Sequence, residues 1–89
     1  GNALVVIAPA DTATPFALDR TTPLRTRLGD GRLAVADPDA VPAGRYARQA
    51  LTTLGLWAQV ADRLAPHENV RAALAMVAAG EAPLGVVYA

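Results

Sequence analysis

Short aliphatic runs alternate along this chain with stretches of helical period, and that alternation limits the fold more than any other feature. Residues 3–8 read Ala-Leu-Val-Val-Ile-Ala, residues 32–36 read Arg-Leu-Ala-Val-Ala, and residues 84–88 read Leu-Gly-Val-Val-Tyr. Each is short and aliphatic and sits among Pro, Asp or Gly, which predicts a strand. The first is apolar without a break, as in a strand buried on both faces. Between the second and third runs the period changes. Ala43, Tyr46, Ala47, Ala50, Leu51 and Leu54 recur at the spacing of one helical face and predict a helix whose stripe, Tyr46 included, faces a core. Pro42 sits at its start, where a missing N–H is harmless, and Gly55 sits just past its end. Leu56, Val60 and Leu64 predict a second, shorter helix up to Pro66, with room for a short strand before the next one. Asn69 is placed to cap a third helix carrying Val70, Ala73, Leu74, Val77 and Ala78, which Gly80 stops. Nearer the start, Thr22 and Pro23 predict the capped beginning of a short helix within 18–28, and Gly29-Asp30-Gly31 a turn. The long loop from Pro9 to Pro23 is expected to be pinned by Phe16. Strands interleaved with helices predict an α/β domain, a three-layer sandwich around a mostly parallel sheet.

Composition narrows the function. A chain of 89 residues holds one domain. Its formal charge is zero, so it lacks the basic footprint of a nucleic-acid or anionic-membrane partner. No apolar run approaches the roughly 18 residues of a membrane helix. The opening Gly1-Asn2 has no basic region of the kind that begins a signal peptide, and reads as a mature chain or an excised piece. There is no Cys and no Ser, which removes thiolate nucleophiles, cysteine metal sites and serine triads together. His67, the one histidine, is expected in an exposed loop and has neither a nucleophile to activate nor companion metal ligands. Asp37 and Asp39 read as turn and capping residues, and Trp57 and Met76 as core or surface packing. No catalytic residue, metal site or cofactor motif is assigned, and the chain does not read as an enzyme.

Parallel sheets bind ligands at the carboxyl ends of their strands, where helix N-termini converge. Two helix starts invite such a reading: Val41-Pro42-Ala43-Gly44-Arg45-Tyr46 and Glu68-Asn69-Val70-Arg71. Their first-turn amides lack helical partners and carry the positive end of the dipole, which suits an anion. Gly44, without a Cβ, is expected to leave the backbone open to a ligand.

Three blocks carry a resemblance. Asp37-Pro-Asp-Ala-Val-Pro-Ala-Gly-Arg-Tyr-Ala47, Glu68-Asn-Val-Arg-Ala-Ala-Leu74 and Gly80-Glu-Ala-Pro-Leu-Gly-Val-Val-Tyr-Ala89 resemble, in order and spacing, segments of the periplasmic molybdate-binding proteins of ABC transporters. The resemblance implies one lobe of a type II periplasmic binding protein fold. It implies a molybdate or tungstate oxyanion held by neutral donors, here the N–H of Ala43, the N–H of Val70 and the hydroxyl of Tyr88. Arg45 and Arg71 are then solvated rather than ligating. The family's other lobe supplies two serines, and their absence here implies that residues 1–89 are the second, uninterrupted lobe, with the first lobe lacking. The implied partner is a membrane permease, the implied location the periplasm, and the implied mechanism hinge closure around the ion. The implied cleft surfaces leave self-association of the isolated piece open. A ligand-sensing effector domain of a transcription regulator shares the two-lobe fold and is the alternative.

Overall fold

The computed structural model describes residues 4–10 and 16–88. Along the chain run β1 (Leu4–Ile7), β2 (Phe16–Ala17), α1 (Leu24–Leu28), β3 (Leu33–Ala36), α2 (Pro42–Thr53), α3 (Trp57–Val60), β4 (Leu64–His67), α4 (Val70–Ala78) and β5 (Leu84–Tyr88). The strands form one sheet in the order β2-β1-β5-β3-β4. β3 pairs in parallel with both β4 and β5, whereas β1 runs antiparallel to β5 and to β2. Four strands therefore point one way and β1 alone is reversed. The sheet is mixed in its ladders and mostly parallel in its directions.

Helices cover both faces, as alternation along the strands requires. On one face Val6, Leu33, Val35, Leu84 and Val86 pack with Leu24, Leu28, Ala47, Leu51, Leu56 and Val60 of the α1, α2 and α3 region. On the other face Ile7 and Ala34 pack with Ala73, Val77 and Ala82. The first core is built from large side chains; a fully buried leucine such as Leu51 contributes roughly 1.5–3 kcal/mol. The second is built from small ones, which lets α4 lie close to the sheet. Gly85 shows how close: a Cβ there would fall 2.7 Å from Val77 Cγ2.

Several expectations need correction. Thr22 does not cap α1. Pro23 occupies the cap position, and the Thr22 hydroxyl instead accepts from the Asp19 N–H at 3.0 Å, closing a turn. The helix following Gly55 stops at Val60, and Leu64 begins a strand. Pro66 lies inside that strand, tolerated because β4 is an edge. The carbonyls of Arg63 and His67 turn inward, accepting from Leu33 and Asp37, so alternation points position 66 outward, where no ladder N–H is needed. β1 is less enclosed than expected, with Leu4 and Val5 only partly buried. Tyr46 is not core: it is 61% exposed, as is Leu74 at 47%. Trp57 and Met76 pack against the two cores as expected. The backbone of Phe16 pairs with Val6; residues 11–15 of the long loop lie outside the described residues.

Candidate functional site

Because β3, β4 and β5 are parallel neighbours, their carboxyl ends reach one edge of the sheet. α2 starts from the end of β3 and α4 from the end of β4. α2 lies on the large-residue face and α4 on the other, so their first turns flank the strand ends from opposite sides.

The β3–α2 connection is a tight backbone structure. Asp37 Oδ1 accepts from the Asp39 N–H at 2.9 Å, and the Asp37 carbonyl accepts from Ala40 at 3.2 Å and Val41 at 2.8 Å. Asp39 also receives Arg48 at 3.2 Å. Asp37 is thus a turn former, as expected, while the Asp39 carboxylate pairs with Arg48. The Asp37 N–H donates to the His67 carbonyl at 2.8 Å, which ties this turn to the end of β4. Val41, in extended conformation, precedes Pro42 and offers no side-chain cap. Among the described residues the N–H groups of Ala43 and Gly44 meet no acceptor, as in an uncapped first turn.

At α4, Asn69 caps as expected: its Oδ1 accepts from the Ala72 N–H at 2.7 Å and its carbonyl from Ala73 at 3.3 Å. The amides of Val70 and Arg71 remain open. Arg45 and Arg71 are exposed, in keeping with solvated arginines. His67 is not in an exposed loop. It ends β4, is half-buried, and places Nε2 3.0 Å from the Met76 Sδ. Gly44 also has a different role from the one expected. The space its missing Cβ leaves is filled by the protein's own backbone, the Ala36 and Asp37 carbonyls, rather than left open to a ligand.

Tyr88 closes β5 at the same edge, its backbone in register with Leu4; its side chain lies outside the described part of the structure. Leu4 and Ala43 share the wall of an open groove of about 860 Å³ that runs along α2 past Tyr46, Ala50 and Leu54. The fold thus brings the Ala43 amide, the Tyr88 backbone beside Leu4 and the Val70 amide to the same edge of the sheet, where the strands β5, β3 and β4 end. Among the described residues no cluster of His, Asp or Glu is arranged to hold a metal ion. The chemistry on offer at this edge is hydrogen-bond donation by neutral amides.

All of residues 1–89 match the bacterial extracellular solute-binding protein family. The chain belongs to that family. The chain is 53% identical over 89 residues to the molybdate-binding protein ModA of Escherichia coli (strain K12), covering 99% of itself and 35% of the relative. It is 50% identical over 88 residues to ModA of Haemophilus influenzae, again covering 99% of itself and 35% of the relative. Among solved structures, the periplasmic molybdate-binding protein of Azotobacter vinelandii superposes with a TM-score of 0.68 at 25% identity, over 98% of this chain and 37% of that one. The chain therefore spans about a third of the length of the relatives it matches. The family and these relatives are binding proteins rather than enzymes, and the neighbouring structures share this chain's α/β architecture.

Proposed function

We propose that this chain is the second lobe of a molybdate- or tungstate-binding protein that works in the periplasm and delivers its ion to an ABC permease. Ala43 and Val70 donate their amides to the oxyanion and Tyr88 its hydroxyl, while a first lobe supplies the remaining donors. The observation that carries the reading is the convergence of two helix mouths with open amides, on opposite faces, at the sheet edge where β5 ends. A tetrahedral dianion leaving water needs many donors and no full cation, because hydrogen bonds to a charged group are each worth roughly 1.5–3 kcal/mol. Amides fixed in a first turn hold their geometry without rearrangement, so rigid spacing selects the larger oxyanions over sulfate. Closure of the two lobes about a hinge then buries the ion and presents a surface the permease reads. The ion is cargo, and no cofactor takes part. Relatives that carry the molybdate-binding name favour transport over the effector-domain alternative.

Calorimetry tests the reading. Titrated with molybdate, the full-length protein binds tightly and the 89-residue chain binds about 100-fold more weakly or worse. Two lost charge-assisted bonds of about 1.5 kcal/mol each correspond to that factor. Equal affinity of the two refutes the half-site. In the full-length protein Tyr88→Phe lowers molybdate affinity about tenfold, the worth of one such bond, with little change in melting temperature. Unchanged affinity removes Tyr88 from the donor set.

A further inference from the structure

We infer that the β3–α2 junction, with Gly44 seated on the carbonyls of Ala36 and Asp37, is the spacer that sets which size of oxyanion fits between the two helix mouths. Gly44 is thereby a positioning residue for the Ala43 amide; the inference rests on the oxyanion-binding reading above. Gly44 is buried. A Cβ built on it would fall 2.5 Å from both the carbonyl carbon and the oxygen of Asp37 and nearer still to the Ala36 oxygen, where real Cβ atoms stay beyond 3.0 Å. These are backbone atoms at the end of a central strand and have no rotamer by which to retreat. Any other residue must push the first turn of α2 off the end of β3. α4 lies on the opposite face of the sheet, so that push carries Ala43 away from Val70 and widens the gap. The backing is rigid on the far side too. The peptide on which Gly44 rests belongs to Asp37, whose N–H is bonded to the His67 carbonyl at 2.8 Å, two residues before the Asn69 cap. One mouth is thus gauged from the other through main-chain contacts. Donor bonds to an anion tolerate only a few tenths of an ångström, so this gauge is a size filter.

The test compares molybdate with sulfate on the full-length protein by calorimetry. A donor misplaced by about 1 Å can lose about 100-fold. Gly44→Ala is expected to lose molybdate affinity on that order and sulfate affinity much less, so that the molybdate-to-sulfate ratio falls at least about tenfold. Leu24→Ala is the control, because it hollows the first core beneath α1, a helix that begins neither mouth. It lowers the melting temperature and leaves the ratio intact. Equal loss of both ions in Gly44→Ala, or loss of neither, overturns the inference. If Gly44→Ala does not fold, Asp37→Gly decides, since it removes the side-chain bond to Asp39 and frees the backbone of the very peptide on which Gly44 rests. A lowered ratio supports the spacer, and an unchanged ratio overturns it. A wild-type protein that binds neither ion overturns the oxyanion reading itself, and the inference with it.

Discussion

Helix α4 begins on a side-chain cap, whereas α2 begins on bare backbone. Asn69 spends its carboxamide on Ala72 and so leaves Val70 and Arg71 as the open donors. Val41 has nothing comparable; Pro42 deletes one donor outright, the Val41 carbonyl takes Arg45 at 3.0 Å, and Ala43 and Gly44 stay open. Both starts end with two adjacent free amides, reached by different routes. The first turn of α4 is closed by a hydrogen bond between residues three apart in the chain. α2 is held by contact between its glycine and the end of β3, which exists only in the assembled fold. Capping stabilises a helix start independently of its neighbours, while packing fixes where that start sits relative to them.

The largest effect that separates the two starts is expected from Asn69→Ala. Loss of the cap destabilises the chain by about 1 kcal/mol in urea denaturation. A loss near zero would mean that α4, like α2, is held by packing alone, and the contrast would fail. The reciprocal change, Val41→Asn, gives α2 the device it lacks. The extended backbone at Val41 suits a cap, so stability should rise by about 0.5 kcal/mol. The new carboxamide would occupy open first-turn donors, and molybdate affinity of the full-length protein should fall in calorimetry; a gain in stability with unchanged affinity would show that these amides do not bind the ion. The smallest effect lies away from both starts. The Arg25 guanidinium, 2.8 Å from Asp62 and joining α1 to the turn after α3, holds that carboxyl below its ordinary value. A depressed acid stabilises the fold above the ordinary Asp range and loses that contribution as pH falls through the lowered folded value. Arg25→Gln should therefore be slightly less stable than wild type at neutral pH and converge with it in acid. Both side chains are exposed, so the difference should shrink further at high salt.

The same division between local and assembled structure explains what could be read in advance. The helices of α2 and α4, their Gly55 and Gly80 stops, the Asn69 cap and the β1, β3 and β5 runs are written in period and punctuation, which act over a few residues. β4 was legible only as room for a short strand, and its start was misplaced because Leu56, Val60 and Leu64 imitate a helical stripe and Pro66 argues against a strand; only its place at the edge of the sheet makes the proline acceptable. Reversal of β1 leaves no trace in its own residues, since a buried aliphatic run reads alike in either direction. Tyr46 fell on the stripe of α2, yet that margin of the helix borders the open groove rather than a neighbour. Gly44 announced a close approach correctly, but a sequence cannot say whether a ligand or the chain's own backbone does the approaching. His67 could not be placed without knowing that β4 exists. The candidate donors were legible through the resemblance of three blocks; composition and period alone supplied only helix starts.

The outer margin of the sheet has one more consequence. Pro66 brings no N–H to that rim, and the neighbouring outward carbonyl, that of Leu64, is already engaged by the Arg32 guanidinium at 3.3 Å. A stray strand from another molecule would meet a rim with one ladder donor missing and one acceptor already taken. Growth of the sheet through β4 is therefore disfavoured by an imino acid and one arginine.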